Sequence, residues 1–210
     1  MTTSPTADFY YPNRMVRIMF QAMEEIVGRN GMNAVLNRAS LSDWINNFPT
    51  LEKAGKISFE TIARIHTGLE DVYGPRGGRG IALRTGRACF SYGMRTIGPE
   101  LGLTEATFRM LPIASKLDVG SAAFANLFNL TTDQRVRVER DNGLLLWHIE
   151  RCPLCWGRKL ADPACHMAVG LLQEALYWVS GGKLYHVEET RCAACGDPAC
   201  TIEIHLNETS

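Results

Sequence analysis

VEETRCAACGDPACTIEI, residues 187–204, decides how this chain is read. Two short apolar–polar runs flank a turn rich in Cys, Gly, Asp and Pro, so the segment is expected to form two strands joined by a loop. The strands are placed at Lys183–Glu189 and Cys200–Leu206. Successive strand side chains alternate between faces. Tyr185, Val187 and Glu189 therefore share one face, and Cys200, Ile202 and Ile204 share another. Both sets look inward, which turns Glu189 and Cys200 towards the core. A lone buried carboxylate is costly, and a bound cation removes that cost.

The stretch before it, ERCPLCWGRKLADPACHMAVG at 150–170, sets Cys165 at the start of an apolar helix, and Cys192 falls in the turn after Glu189. Three thiolates and a carboxylate suit a closed, tetrahedral zinc site. Cys195 lies in the same turn and can replace Cys192. Cys152 and Cys155 form a C-x-x-C, a spacing able to chelate zinc, hold an iron–sulfur cluster or cycle as a dithiol. The competing view is that these cysteines are small buried apolar residues. Cys89, on an apolar helix, is read as core.

Working outward, Val136 and Val138 alternate with charges, Asp141-Asn142-Gly143 is a hairpin turn, and Leu144–Glu150 is its second strand. Residues 165–179 form an apolar helix stopped by Gly181 and Gly182. The fold class is α+β: an antiparallel sheet of about four strands in β-β-α-β-β order, flanked by helices. Upstream the period is helical. Met15, Ile18, Met19, Met23 and Ile26 mark a helix over 12–39, broken by Gly28 and Gly31. A short helix and loop follow over 40–56, and Ser58 caps a helix over 58–73. YGPRGGRGIALRTGRA, residues 73–88, reads as a flexible Gly-rich turn entering a helix that runs to Ile97, with close packing at Gly86. It lacks the pattern of a phosphate loop. Residues 104–128 are helical, interrupted near Pro112. The organisation expected is a helical extension over 1–56 and a ligand-binding domain over 57–210.

Composition narrows the function. The 210 residues carry 22 Lys plus Arg and 22 Asp plus Glu, a formal charge of zero. No basic excess is present to meet a phosphate backbone, so nucleic acid is not an expected partner. MTTSPTADFY does not read as a signal peptide, and no apolar run is long enough for a membrane span. A cytoplasmic location is expected. Seven Cys without an export signal favour metal or thiol chemistry over a disulfide framework.

On these residues the chain resembles the 4-vinyl reductase domain family. The likeness is carried by YGPRGGRGIALRTGRA, by the helix-opening Cys in PACHMAVGLLQEAL (163–176), and by E-x-x-C, seven residues, then C in the closing hairpin. It runs from about Tyr73 to Ile204. The family is related in fold to Bet-type subunits of the TRAPP tethering complex, so a ligand-binding fold of the NO-signalling and Golgi-transport type is implied. The same module resembles the sensor part of aromatic-responsive bacterial activators, which bind zinc through three Cys and one Glu. Carried over residue by residue, that set is Cys165, Glu189, Cys192 and Cys200. The resemblance also implies a hydrophobic small molecule as partner and a homodimer, for which the Met15, Met19 and Met23 face is one available surface. Cys152, Cys155 and Cys195 depart from the family pattern.

The function expected is binding or sensing of a hydrophobic or aromatic molecule beside a structural zinc. Trp147 is placed in the pocket with Leu145 and Ile149 on its face, and Tyr177, Trp178 and Tyr185 are further candidates. An accessory or enzymatic role in bacteriochlorophyll metabolism comes second, because no nicotinamide or flavin fingerprint is present and His148, His166 and His186 are isolated bases. A thiol or iron–sulfur redox sensor is the third alternative.

Overall fold

The computed structural model describes residues 9–51, 56–101, 108 and 110–206. Four helices and two sheets account for most of them. Helix α1, Asn13–Arg38, and helix α2, Phe59–Thr96, lie along one another. The Ser58 hydroxyl caps α2 by accepting from the Thr61 N–H at 3.2 Å. Helix α3 is Ile113–Thr131, and α4 is His166–Ser180, closed by Gly181 at φ 76°. Strands β1 (Tyr10–Pro12) and β2 (Lys56–Ser58) form a two-stranded ribbon. Strands β3 (Val136–Asp141), β4 (Leu144–Ile149), β5 (His186–Arg191) and β6 (Cys200–His205) form an antiparallel sheet in the order β3-β4-β6-β5. The architecture is the expected α+β one, with four strands threaded β-β-α-β-β.

Register decides what meets in the core. Trp147 pairs with Ile202, and Ile149 with Cys200. Val187 pairs with Ile204, and Glu189 with Ile202. These side chains, Glu189 excepted, are buried on the face that α3 and α4 cover. Met15, Met19 and Met23 are buried as well, inside the chain's own core rather than on an open face. The boundary expected between residues 56 and 57 falls inside β2, and Val16, Met19 and Phe20 share one core with Trp147 and Ile202.

Three local expectations are corrected. The Gly-rich stretch is not a flexible turn: α2 passes through it with one joint at Gly74 (φ 72°, ψ 165°). Pro75 then sits where a restarting helix has no use for its missing N–H, so the helix resumes at once. Strand β5 begins at His186, not Lys183, because Gly181 and Gly182 both hold positive φ and carry the chain away from the sheet. It runs past Glu189, with an irregular register between Glu189 and Arg191 that turns Cys192 back inward. The β1–β2 ribbon is too short, and too interrupted by Pro12, to show as a period. Residues 104–107 and 109, within the expected helix over 104–128, lie outside the described residues. Among the described residues, no helix is long and apolar enough to cross a membrane.

Candidate metal centre and adjoining cavity

Four separate segments deliver donors to one buried point. The loop after β4 brings Cys152 and Cys155, the start of α4 brings Cys165, the end of β5 brings Glu189 and Cys192, and the start of β6 brings Cys200. All five of these cysteines are buried, with Cys165, Cys192 and Cys200 wholly so. Cys195 sits exposed in the same turn as Cys192 and outside the cluster, and Cys89 lies apart on α2.

Sulfur–sulfur distances are 3.4 Å for Cys152–Cys165, 3.4 Å for Cys155–Cys200, 3.6 Å for Cys165–Cys200 and 3.8 Å for Cys200–Cys192. A disulfide needs about 2.05 Å, so these are thiols. A tetrahedron with metal–sulfur bonds of about 2.3 Å has edges of about 3.8 Å, which the cluster matches. Cys165, Glu189, Cys192 and Cys200 place their ligand atoms within 4.8 Å of one another, and so do Cys152, Cys155, Cys165 and Cys200.

The carboxylate supplies an independent sign. Glu189 Oε2 accepts from the Cys165 N–H at 2.7 Å, but Oε1 is buried without a hydrogen-bond partner among the described residues. Burial first, and the neighbouring Cys192 second, push its carboxyl up to about 8. A cation at the cluster answers both the orphaned oxygen and the unfavourable charge. The turn is held by two further contacts: the Cys192 N–H donates to Asp197 Oδ2 at 2.9 Å, and the Ala193 N–H reaches the Cys200 sulfur at 3.3 Å. Without a cation the thiols must share protons. Hydrogen bonding from Cys152 presses Cys155 strongly towards thiolate, while the same contact keeps Cys152 protonated.

A cavity of about 130 Å³ adjoins the cluster. It lies between α1, α2, α3, α4 and β4, walled by Met19, Phe90, Phe124, Trp147, Ala168 and Leu172. Trp147 packs against Phe124 and Phe128, at ring-centroid distances of 5.7 and 6.4 Å. Cys152, Pro153 and Leu154 line it too, so one loop forms part of the cavity wall and of the thiol cluster at once. The polar exception is Tyr11, whose hydroxyl donates to Gln134 Oε1. Burial raises the Tyr11 pKa well above the usual phenol value, so that it remains a donor. Trp178 lines two neighbouring hollows beside Phe108 and Lys116, whereas Tyr177 is half exposed and Tyr185 packs at the edge of the core; neither lines the main cavity or these two hollows. Tyr11, Gln134 and the α1 residues of the wall were not expected from the sequence. No spacing rule joins residues 123 positions apart, and Tyr11 stood in the segment read as an extension.

The family model of the 4-vinyl reductase domain matches residues 147–206, from the middle of β4 to the end of β6, a stretch holding every donor of the cluster. Residues 147–206 are thus assigned to the 4-vinyl reductase domain family. Comparison with curated proteins found no match in sequence. Among solved structures, the chain is similar to a protein from a study titled "Probing the function of heme distortion in the H-NOX family", with TM-score 0.60, 12% identity, and 92% of each chain covered. It is similar to the Fe(II) unliganded H-NOX protein from K. algicida, with TM-score 0.58, 13% identity, and 94% of this chain and 97% of that one covered. It is also similar to the phenol-responsive sensory domain of the transcription activator PoxR with phenol, with TM-score 0.51, 22% identity, and 70% and 74% covered. These likenesses establish a fold shared with H-NOX domains. The H-NOX matches take in nearly the whole chain, whereas the family match begins only at Trp147.

Proposed function

We propose that the chain is a sensing module for a small, single-ring hydrophobic molecule, held in the cavity beside a zinc centre formed by Cys165, Glu189, Cys192 and Cys200. Cavity size carries this reading. A cavity of about 150 Å³ lined by aliphatic and aromatic groups stays dry and takes up benzene, and the one here is about 130 Å³. It is therefore matched to one ring and far too small for a tetrapyrrole. The Tyr11–Gln134 pair offers a polar end for one hydroxyl, with apolar walls elsewhere. The fold likeness to the PoxR sensory domain, solved with phenol, agrees with this ligand class.

Haem is the ligand suggested by the H-NOX relatives. Besides the small volume, none of the residues lining the cavity is a histidine. Zinc is favoured over an iron–sulfur cluster because the donor atoms of each tetrad crowd within 4.8 Å, leaving no room for an inorganic core between them. Four protein donors close the site, so its role is to pin the β4–α4 loop, α4 and the closing hairpin together. A reducing compartment, the cytoplasm, suits seven unpaired thiols. A homodimer is the assembly proposed by analogy with the family.

Calorimetric titration of zinc-replete protein with phenol tests the reading. Saturable one-to-one binding, lost in Ala168→Phe, is expected. Absence of binding by phenol and toluene alike overturns it.

A further inference from the structure

Six donors meet where one tetrahedral ion needs four. They form two tetrads, and Cys165 and Cys200 belong to both. Two tetrahedra sharing one edge describe two ions joined by two bridging donors. The shared edge here is the 3.6 Å Cys165–Cys200 separation, and the outer contacts are 3.4 Å to Cys152, 3.4 Å to Cys155 and 3.8 Å to Cys192. These lengths stay close to the edge of about 3.8 Å expected for zinc and sulfur. We propose that the cluster is a binuclear centre, with Cys152 and Cys155 completing one ion, Glu189 and Cys192 completing the other, and the sulfurs of Cys165 and Cys200 bridging the two.

The proposal extends the single-ion reading above, and three features support it. Cys152 and Cys155 are 2% and 3% exposed, and each touches a sulfur of the shared edge. A single ion at the other tetrad would leave both as spare buried thiols against charged sulfurs. The outer pairs also come from different segments on either side of the bridge, the β4–α4 loop on one and the β5 end on the other. The surroundings of the shared edge suit sulfurs that carry metal: Cys165 opens α4, and the Cys200 sulfur receives the Ala193 N–H at 3.3 Å. Two divalent ions held by six protein donors is an established stoichiometry in Zn₂Cys₆ modules. Each thiol that binds gives its proton to solvent, so loading both ions releases protons without any redox step. The ion held by Cys152 also fixes the Cys152–Leu154 wall of the cavity, joining the metal content of the protein to the shape of its ligand site.

Metal counting on the intact protein tests this. Native mass spectrometry and elemental analysis are expected to give two zinc ions per chain, and one in Cys152→Ser/Cys155→Ser. Cobalt(II) titration of the metal-free wild-type protein gives a second reading that needs no variant. Thiolate bridges couple the two ions magnetically, so the high-spin cobalt signal should rise to one equivalent and then fall towards two. One zinc per chain, or a cobalt signal that saturates at one equivalent or climbs steadily to two, overturns the bridged centre. One zinc leaves the single-ion site of the proposed function standing; no zinc removes both. Phenol binding is a separate measurement and fails or succeeds separately.

Discussion

Gly86 of α2 lies against the α4 backbone at Met167 and Leu171, and Gly170 of α4 lies against the α2 backbone at Leu83. A Cβ built on Gly86 would stand 2.8 Å from the Leu171 nitrogen, and one built on Gly170 would stand 2.8 Å from the Leu83 carbonyl carbon. The two helices therefore cross at a distance that only hydrogen permits. This crossing sets the depth at which Met167, Ala168 and Leu171 enter the cavity wall. Gly86→Ala and Gly170→Ala should each destabilise the chain by about 1–3 kcal/mol or more, because the obstruction is backbone and cannot rotate away. The gain in helix propensity, about 1 kcal/mol, does not offset this. Thermal unfolding of each variant checks it; an unchanged Tm would contradict the close crossing.

The cavity's polar end makes a separate prediction. Tyr11→Phe removes the donor to Gln134, which is itself buried. Preference for phenol over toluene should fall by about 5- to 10-fold, the worth of one neutral hydrogen bond. Stability should drop by about 1–3 kcal/mol, since the Gln134 oxygen loses its partner. Paired titrations with the two ligands measure the first, and denaturant unfolding the second.

His66 sets an acid limit. It is buried, its Nε2 has no partner among the described residues, and burial, helped by Arg158, lowers its pKa to about 3. The unfolded chain takes up this proton near the ordinary value of about 6.5. Between these two values the unfolded state binds more protons, so stability contributed by neutral His66 is complete above about 6.5 and is lost as pH falls towards 3. The slope from this one group is at most about 1.4 kcal/mol per pH unit. His66→Leu should flatten the stability profile between pH 6 and about 4, measured by urea unfolding at each pH.

Stripping the metal should be felt mainly at one end of the sheet. A strong chelator should lower Tm, and free zinc at about 100 times its Kd should restore about 2.7 kcal/mol. Hydrogen exchange should quicken first in Cys192–Asp197 and around Cys152–Cys155, where the donors replace a conventional core. Uniform loss of protection, or none, would contradict a centre that pins these segments.

Much of this was legible in the sequence because the closing hairpin obeys a simple period. Alternation alone turned Glu189 and Cys200 inward, and in the β3–β4 hairpin Asp141-Asn142-Gly143 marked the turn without ambiguity. Gly86 was readable as a packing glycine because it interrupts an apolar helical run. The joint at Gly74 was not, since four glycines in seven residues look like a loop until the tertiary packing of α2 holds them helical. Tyr11 and Gln134 were invisible for a different reason: a long-range polar pair leaves no local pattern. The C-x-x-C was seen, but whether its sulfurs reach the other cysteines depends on the path of the loop from Arg151 to Ala164, which carries no period at all.

Ligand size is the most direct test of the whole account. Zinc-replete protein should be titrated with phenol, naphthalene and haem under one set of conditions. The account predicts saturable binding of phenol at one per chain, with naphthalene weaker and no Soret band from bound haem. Stoichiometric haem uptake without phenol binding would contradict it and place the chain with the haem-binding H-NOX proteins in function as well as fold.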